Sequence, residues 1–391
     1  MKIQDIRTHL LQAPLGDKRF YSSQAAFPAR TSLLVEVIAD DGRAGWGEGG
    51  QWGPTEPPAT VVEKIFKPLL IGRSVHQVTR IWEELYGCTR DFSRRGPYIE
   101  AMSAIDVALW DLKGQDLGVP IHSLFGGAFR DSVAAYATGC YYRGADVHDE
   151  SAVLEYLKKE ASSYVEDGFS IIKIKTGLWP VAKDAKRIAA VREAAGPDIA
   201  LLSDANHAYR ASDALRVGKI LEEYGYLMFE EPVPPEDLEG YRRLRSVLNI
   251  AIAGGECEYT RWGFRDLIVS GTLDIVQPDI SVAGGLSEFT KILALASAYN
   301  LLVLPHVWGS GIALAASLHA LAIIPESPYR AFPVPFETEP IVEFDRNPNP
   351  LRDDLVTTPF KLADGRLPIP QKPGLGVEVN REVLKKYTTG P

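Results

Sequence analysis

Three carboxylates of this sequence recur at a constant interval. Asp204, Glu230 and Glu256 follow one another 26 residues apart, and each closes a short apolar run. Carboxylates that meet at one point repel one another in a medium of low dielectric constant, and a hard divalent cation relieves that repulsion. Mg²⁺ prefers such oxygen ligands, whereas zinc sites usually draw on clustered His or Cys residues. The spacing therefore predicts a Mg²⁺ site, although a single acid in such a place more often caps the next helix.

Candidate bases close neighbouring runs. Lys173 and Lys175 lie two residues apart in a β-rich run, so both side chains project to one side. A lysine beside another cation loses its proton more readily, which suits Lys175 to act as a base. His306 closes a later run and Asp279 closes the run before it, so the carboxylate can orient the imidazole. The pattern predicts a cation between two opposed proton-transfer groups.

Such an arrangement suits one class of reaction. Removal of the hydrogen α to a carboxylate creates an enediolate, whose charge a divalent cation stabilises while an amine or imidazole takes the proton. The expected mouth also carries Asn206, His207, Tyr209 and Tyr141, which favours a polyhydroxylated substrate over an aromatic one. His207 is equally consistent with a loop contact.

Recurring apolar runs must position these groups. From residue 133 onward, short apolar runs alternate with amphipathic segments, as is typical of a parallel sheet covered by helices. The runs are Val133–Thr138, Ser170–Thr176, Ile199–Asn206, Tyr226–Glu231, Ile250–Glu256, Leu273–Asp279, Leu301–His306 and, interrupted by prolines, Tyr329–Pro333. Seven or eight β/α units favour a TIM-like (β/α) barrel, whose strand ends converge at one mouth. A doubly wound sheet would need a G-x-G-x-x-G turn after the first strand, and the sequence has none there.

The chain divides into three predicted parts. Residues 1–130 read as an α+β capping domain, with a hairpin over residues 32–48 and a helix at Ala101–Leu117. Residues 131–340 form the barrel, and the Pro- and Gly-rich tail 341–391 is expected to return to the capping domain.

Composition limits the function classes. The chain has 391 residues, a net charge of −9 and three cysteines without disulfide or metal-knuckle spacing. An acidic surface argues against nucleic-acid or membrane partners, and no segment reads as a membrane span or a signal peptide. We therefore expect a cytoplasmic enzyme of a small anionic substrate. His9, His76, His122, His148 and His319 have no catalytic context and receive no role.

Together these residues resemble the enolase superfamily, and more narrowly its mandelate racemase subgroup. The matching motifs are Lys173-x-Lys175, Asp204-x-Asn206, Glu230-Glu231-Pro232, Gly255-Glu256, the Asp279/His306 dyad, the segment 104–114, Leu124–Gly127 and Pro373–Gly376. The resemblance implies one Mg²⁺ per subunit, with Mn²⁺ as a substitute, on Asp204, Glu230 rather than Glu231, and Glu256.

The resemblance also implies the remaining roles. Lys175 is the base on one face and His306, held by Asp279, the acid/base on the other. Lys173 contacts the substrate carboxylate and lowers the pKa of Lys175, and Trp308 joins the substrate contacts. An acid on the eighth strand also binds the substrate carboxylate; Glu343 fits best, with Glu337 and Glu339 left open. Loops 15–31 and 49–58 close the mouth and set specificity, carrying Arg19, Tyr21, Arg30, Gln51 and Trp52.

The activity that the resemblance implies is α-proton abstraction from a sugar acid or aldarolactone followed by β-elimination, as in lactone cycloisomerases. Three alternatives remain: an acid-sugar dehydratase, a racemase or epimerase of a 2-hydroxy acid, and a non-catalytic metal- or sugar-acid-binding protein. Family members are often dimers to octamers, so a homo-oligomer is expected.

Overall fold

A computed structural model describes residues 1–50, 52–143 and 147–389, so Gln51 lies outside the described residues. The strands are β1 (Ile3–Pro14), β2 (Phe20–Tyr21), β3 (Ala26–Phe27), β4 (Ala29–Ala39), β5 (Ala44–Glu48), β6 (Ser132–Thr138), β7 (Ile171–Lys175), β8 (Ala200–Asp204), β9 (Tyr226–Glu230), β10 (Ala251–Gly254), β11 (Ile275–Val276), β12 (Leu302–Val303), β13 (Ile341–Asp345) and β14 (Arg366–Pro368). The helices are α1 (Glu56–Val61), α2 (Lys67–Leu70), α3 (Val78–Thr89), α4 (Pro97–Leu117), α5 (Ile121–Leu124), α6 (Glu150–Glu166), α7 (Val181–Ala195), α8 (Ala211–Glu223), α9 (Leu238–Val247), α10 (Thr260–Val269), α11 (Gly285–Ala298), α12 (Gly311–Ala322), α13 (Pro350–Asp353) and α14 (Arg381–Tyr387). A 3₁₀ turn (Gly16–Lys18) precedes β2, and a π-helical turn (Val62–Phe66) joins α1 to α2.

Eight parallel strands form a curved sheet in the order β12-β11-β10-β9-β8-β7-β6-β13, and β14 pairs antiparallel with β6. A helix follows each strand from β6 to β12, which confirms the predicted TIM-like (β/α) fold class with an N-terminal capping domain. Because the strands run parallel, their carboxyl ends lie at one mouth.

The sheet interior is filled in layers. Ile171 packs in a cluster that also takes one or two side chains from each of the other seven parallel strands, among them Tyr136 and Met228. Side chains two residues apart share a face of a strand. Lys173 and Lys175 therefore follow Ile171 up the same interior face, toward the carboxyl end of β7. The outward residues pack against the covering helices in the main core.

The capping domain lies on a three-stranded antiparallel sheet, in the order β1-β4-β5. Its β4–β5 hairpin confirms the predicted one. Helix α4 crosses β5 so closely that a Cβ on Gly45, Gly47 or Gly49 would lie 2.2, 1.9 or 2.3 Å from a backbone oxygen of α4. The three glycines lie at every second residue of the strand, and the α4 oxygens that they face lie at every fourth residue of the helix. Because glycine has no side chain, the helix backbone contacts the strand directly.

The end of the sheet differs from expectation. The eighth strand is β13, and residues 329–333 contain only bends and coil. Pro333 and Pro335 remove backbone donors there, whereas residues 341–345 supply a full set. Strands β13 and β14 of the barrel sheet therefore come from the segment after residue 340. Near the end of that segment, Thr388 forms a β-bridge with Leu11 of the capping sheet. The domain boundaries at 130 and 340 stay predictions.

In the residues that the structure describes, no helix has the length and apolar character that a membrane crossing requires.

Candidate active site

The three predicted metal ligands meet at the mouth of the barrel. Asp204 and Glu230 end β8 and β9, and Glu256 lies two residues beyond β10. Each offers a carboxylate oxygen, and these oxygens all lie within 4.8 Å of one another. The side chains are buried, so their mutual repulsion is weakly screened by water.

Carboxylate oxygens of this trio lack hydrogen-bond partners, which fits a hard divalent cation. Glu230 Oε1 and Glu256 Oε2 are buried and accept no hydrogen bond among the described residues. Burial, and then neighbouring carboxylates, raise the pKa of Glu230 to about 8 and that of Glu256 to about 7. Free carboxylate oxygens with no nitrogen or sulfur donor among them are the ligand set that Mg²⁺ prefers.

Both lysines are held by carboxylates. Lys175 pairs with Asp204 and donates to Asn206 Oδ1 at 3.0 Å. Lys173 contacts Glu230 at 2.9 Å and Glu343 at 3.0 Å and is fully buried. Burial opposes their charge, but these carboxylates outweigh it and raise the pKa of both lysines. Lys173 by itself lowers the pKa of Lys175, as the resemblance implies, but Asp204 outweighs it and the net shift is upward.

The predicted dyad forms on the other side of the mouth. His306 Nδ1 lies 2.6 Å from Asp279 Oδ2, so the other ring nitrogen faces the site, 3.6 Å from Glu256 and 3.9 Å from Glu343. Burial alone would lower the pKa of His306, but Glu256, Asp279 and Glu343 raise it to about 10. Asp279 therefore fixes the orientation of the imidazole, and Glu256 and Asp279 together favour its charged form.

The three acids left open on the eighth strand lie in different surroundings. Glu343 lies in β13, accepts from Thr138 Oγ1 at 2.6 Å and contacts Lys173. Glu337 is exposed and pairs with Arg330, and Glu339 pairs with Arg366. Of these three acids, Glu343 is the one that reaches Lys173 and His306. Burial works against ionisation of Glu343, yet Lys173 and His306 lower its pKa to about 2.

A cavity of about 190 Å³ opens between the mouth and the capping domain. It is lined by Lys175, His306, Glu256, Asn206, His207, Tyr141, Trp308, Cys257 and the capping residues Ser22, Gln24, Ala25, Phe27 and Trp52. All predicted substrate contacts therefore line it except Lys173, which is buried below and fully engaged by Glu230 and Glu343.

Both capping loops reach this cavity. Ser23 Oγ donates to the Ala205 carbonyl and Gln24 Nε2 to the Asn206 carbonyl, each at 2.7 Å. In the second loop, the Trp52 ring stands edge-on to His306 at 5.2 Å between centroids. Arg30 instead lies behind the cavity, buried over the Trp308 ring, and therefore supports that ring.

Sequence reasoning missed Glu48. This buried capping residue accepts hydrogen bonds from Ser310 N at 3.0 Å, Ser32 Oγ at 2.8 Å and Ala313 N at 3.2 Å, and from Ser310 Oγ. Ser310 caps α12, four residues after His306. Glu48 therefore ties the capping sheet to the loop that carries the predicted acid/base. Its signal, a lone acid ending a hairpin strand, is too common to single it out.

The fold and site define a class. Residues 20–126 match the mandelate racemase / muconate lactonizing enzyme N-terminal domain family, and residues 156–383 match the enolase C-terminal domain-like family. The chain belongs to the enolase superfamily, in its mandelate racemase-like branch, and is an enzyme of the isomerase or lyase type.

Particular relatives narrow the comparison. The chain is 42% identical to a D-galactarolactone cycloisomerase of Agrobacterium fabrum, covering 99% of each chain. It is 34% identical to an arabinonate dehydratase of Saccharolobus solfataricus, covering 98% of this chain and 99% of that one. A solved 3,6-anhydro-D-galactonate cycloisomerase of Zobellia galactanivorans is 38% identical, with a TM-score of 0.88 over 100% of both chains. A racemase of Streptomyces coelicolor solved with bound magnesium is 29% identical, with a TM-score of 0.86 over 99% of this chain and 100% of that one.

Proposed function

We propose that this enzyme removes the proton α to the carboxylate of a sugar acid or aldarolactone and then expels a β-oxygen. The observation that carries the proposal is that Lys175 and His306 line one cavity and contact different members of the trio. Lys175 pairs with Asp204, and His306 lies 3.6 Å from Glu256. Each can reach a different face of a carbon held between them. Similarity to a lactone cycloisomerase over nearly the whole chain favours the lactone as substrate.

Each residue of the site has its own role in the proposed reaction. Lys175 takes the α-proton as the free amine, a form that would be favoured once Asp204 binds the cation and no longer pairs with the lysine. The C–H electron pair then moves toward the carboxylate to form the enediolate. As the enediolate collapses, the β-carbon–oxygen bond breaks, its electrons stay on the departing oxygen, and His306 supplies a proton on that side. Asp279 holds the His306 ring in the orientation that this proton transfer requires. Glu343 and Lys173 fix the floor of the site, and Asn206, His207, Tyr141 and Trp308 orient the substrate.

We propose Asp204, Glu230 and Glu256 as the ligands of one Mg²⁺ per chain, with Mn²⁺ as a substitute. When bound, the cation stabilises negative charge on the substrate carboxylate as it develops. The two buried carboxylate oxygens without hydrogen bonds support this assignment.

An acid-sugar dehydratase is the second candidate. Similarity to an arabinonate dehydratase, again over nearly the whole chain, favours it. The same first step serves both reactions, because a dehydratase expels a β-hydroxyl where a cycloisomerase expels the lactone ring oxygen.

The deciding experiment incubates the full chain and Mg²⁺ with a panel of aldonates, aldarates and aldarolactones in D₂O, followed by NMR. Consumption of a lactone ring with one deuterium incorporated supports the cycloisomerase, and a keto acid formed from an open-chain acid with loss of water supports the dehydratase. Inversion alone would mean a racemase. Binding without deuterium exchange for any compound would overturn α-proton abstraction.

A further inference from the structure

Beside the carboxylate trio lies a second group of metal-ligating side chains that the proposed reaction does not use as ligands. His207, Glu231 and Cys257 each offer one ligand atom, and these three atoms all lie within 4.8 Å of one another. Glu231 is 1% exposed, while the imidazole and the thiol are partly open and line the reaction cavity.

The chain direction explains why two groups form side by side. Glu231 directly follows Glu230, and Cys257 directly follows Glu256. The backbone turns just past β9 and β10, where Glu231 has a left-handed φ of 40° and Cys257 lies in a turn, so each strand end gives one residue to the trio and the next to the second group. Three residues beyond Asp204, His207 completes the group from the neighbouring loop.

The second group has unmet polar needs. His207 Nδ1 and Glu231 Oε2 form an ion pair at 2.8 Å, but this contact is not aligned as a hydrogen bond, and neither atom makes one among the described residues. The carboxylate oxygen is buried, and a buried carboxylate oxygen left without a hydrogen bond is costly. A cation bound by the imidazole, the carboxylate and the thiolate would replace this ion pair and give Glu231 Oε2 a partner.

We propose that His207, Glu231 and Cys257 form a second cation site, specific for a borderline-soft divalent ion of the zinc class. Imidazole nitrogen, carboxylate oxygen and thiolate sulfur are ligands of tetrahedral Zn²⁺, at about 2.0–2.3 Å, and leave a fourth position for water or substrate. On binding, the Cys257 thiol releases its proton, and thiolate and carboxylate together neutralise the ion.

The two sites differ in the chemistry of their ligands. The trio offers oxygen alone and suits Mg²⁺, whereas sulfur and nitrogen select a softer ion. Because His207 and Cys257 share the cavity with Lys175 and Asn206, an ion held there also occupies substrate space. Zinc-class ions therefore inhibit turnover without displacing Mg²⁺.

Co²⁺ is the probe, since its bond to a thiolate gives a strong charge-transfer absorption that oxygen ligands do not give. The full-length protein is titrated with Co²⁺ in the presence of saturating Mg²⁺. We expect one Co²⁺ per chain with the thiolate band, and loss of that band on addition of Zn²⁺. Cys257→Ser should abolish the band, and Glu231→Gln should weaken Co²⁺ binding at least about tenfold, as ligand-shell changes do.

Cys88→Ser is the matched control, because Cys88 is exposed and far along the chain from the group. It should leave the band unchanged. Thermal unfolding curves verify that each variant is folded, and Glu231→Gln keeps the thiol as an independent check. Absence of the band, its persistence in Cys257→Ser, or displacement of Co²⁺ by Mg²⁺ alone would overturn the proposal and reduce the group to an ion pair beside a thiol. These readouts do not depend on turnover, so they stand apart from the test of the proposed reaction.

Discussion

Two histidines of one β/α unit, thirteen residues apart, are buried in different surroundings. His306, at the barrel mouth, faces Asp279, Glu256 and Glu343, and its pKa is raised to about 10. His319, on α12 at the joint with the capping domain, faces the ring of His122 at 3.1 Å and the Leu375 carbonyl at 3.1 Å. Burial, and then His122, lower the pKa of His319 to about 3.

The difference teaches that partners, rather than depth, set the charge of a buried group. The Leu375 carbonyl only accepts, so His319 Nε2 donates to it and His319 Nδ1 accepts from His122. The His319 ring is therefore neutral, and burial lowers the pKa of His122 as well. At the mouth, carboxylates from three different strand ends hold a cationic imidazole instead, which suits proton transfer.

The largest effects should follow from removing the proton-transfer groups of the mouth. Lys175→Ala and His306→Asn should each lower kcat by about 10²–10⁴-fold, because general acid–base catalysis contributes that much. Deuterium exchange at the α-carbon, followed by NMR, separates the two groups. Loss of exchange only in Lys175→Ala would identify Lys175 as the abstracting base. The exposed Lys361→Ala is the control, and full activity in both mouth variants would contradict the assignment.

A smaller effect should come from the partner of His306. Asp279→Asn keeps an acceptor for the imidazole but removes a negative charge, so the pKa of His306 should fall and kcat should drop about 10–100-fold. The pH–rate profile checks this, since the limb set by the imidazole should move to lower pH. Asp198→Asn, at an exposed position, should leave the profile in place. An unshifted profile in Asp279→Asn would mean that Asp279 does not tune His306.

Glu48 links the surroundings of His306 to those of His319. It holds the start of α12, the helix that carries His319, behind the loop that carries His306. Glu48→Gln turns an amide N–H toward donors of Ser310 and Ser32 and should destabilise the fold by about 1–3 kcal/mol. Urea denaturation measures this change. Kinetics on the same variant should show a lower kcat. The control Glu236→Gln should leave both the stability and kcat unchanged. Unchanged stability would remove Glu48 from this role.

The smallest expected effect is the pH dependence that His319 gives to the free energy of unfolding. The folded pKa of His319, about 3, lies below its unfolded value, so the unfolded chain binds more protons as pH falls below about 6.5. The contribution of the neutral ring is complete above that pH and declines toward pH 3, by at most about 1.4 kcal/mol per pH unit. His319→Gln, which keeps the donor to Leu375, should flatten this slope between pH 6.5 and 5.

The difference between wild-type and His319→Gln unfolding free energies isolates the slope, because other titrating groups cancel. Among these are Asp106 and Asp111, whose burial raises their pKa to about 7 and about 6 and gives the opposite sign. His76→Gln, on the surface, should retain the wild-type slope. Parallel curves for wild type and His319→Gln would contradict the neutral joint.

Residue type and spacing were enough to predict much of this molecule. The 26-residue interval of Asp204, Glu230 and Glu256 equals one β/α unit, and parallel strands bring their carboxyl ends to one mouth. The sequence alone therefore predicts that these three carboxylates meet. Lys175, Asp279 and His306 follow from the same rule. The eighth strand escaped it, because β13 alternates and carries Glu343 inward, so it does not read as an apolar run.

Tertiary structure alone decided which neighbours each group meets. It brought Glu343, and not Glu337 or Glu339, beside Lys173. It also placed Glu48 behind the His306 loop and made His319 neutral while His306 is charged. It also gathered His207, Glu231 and Cys257, whose separation along the chain conceals them. The physical reason is that periodicity fixes the face on which a side chain lies, whereas hydrogen bonds and charge depend on contacts between segments remote in sequence.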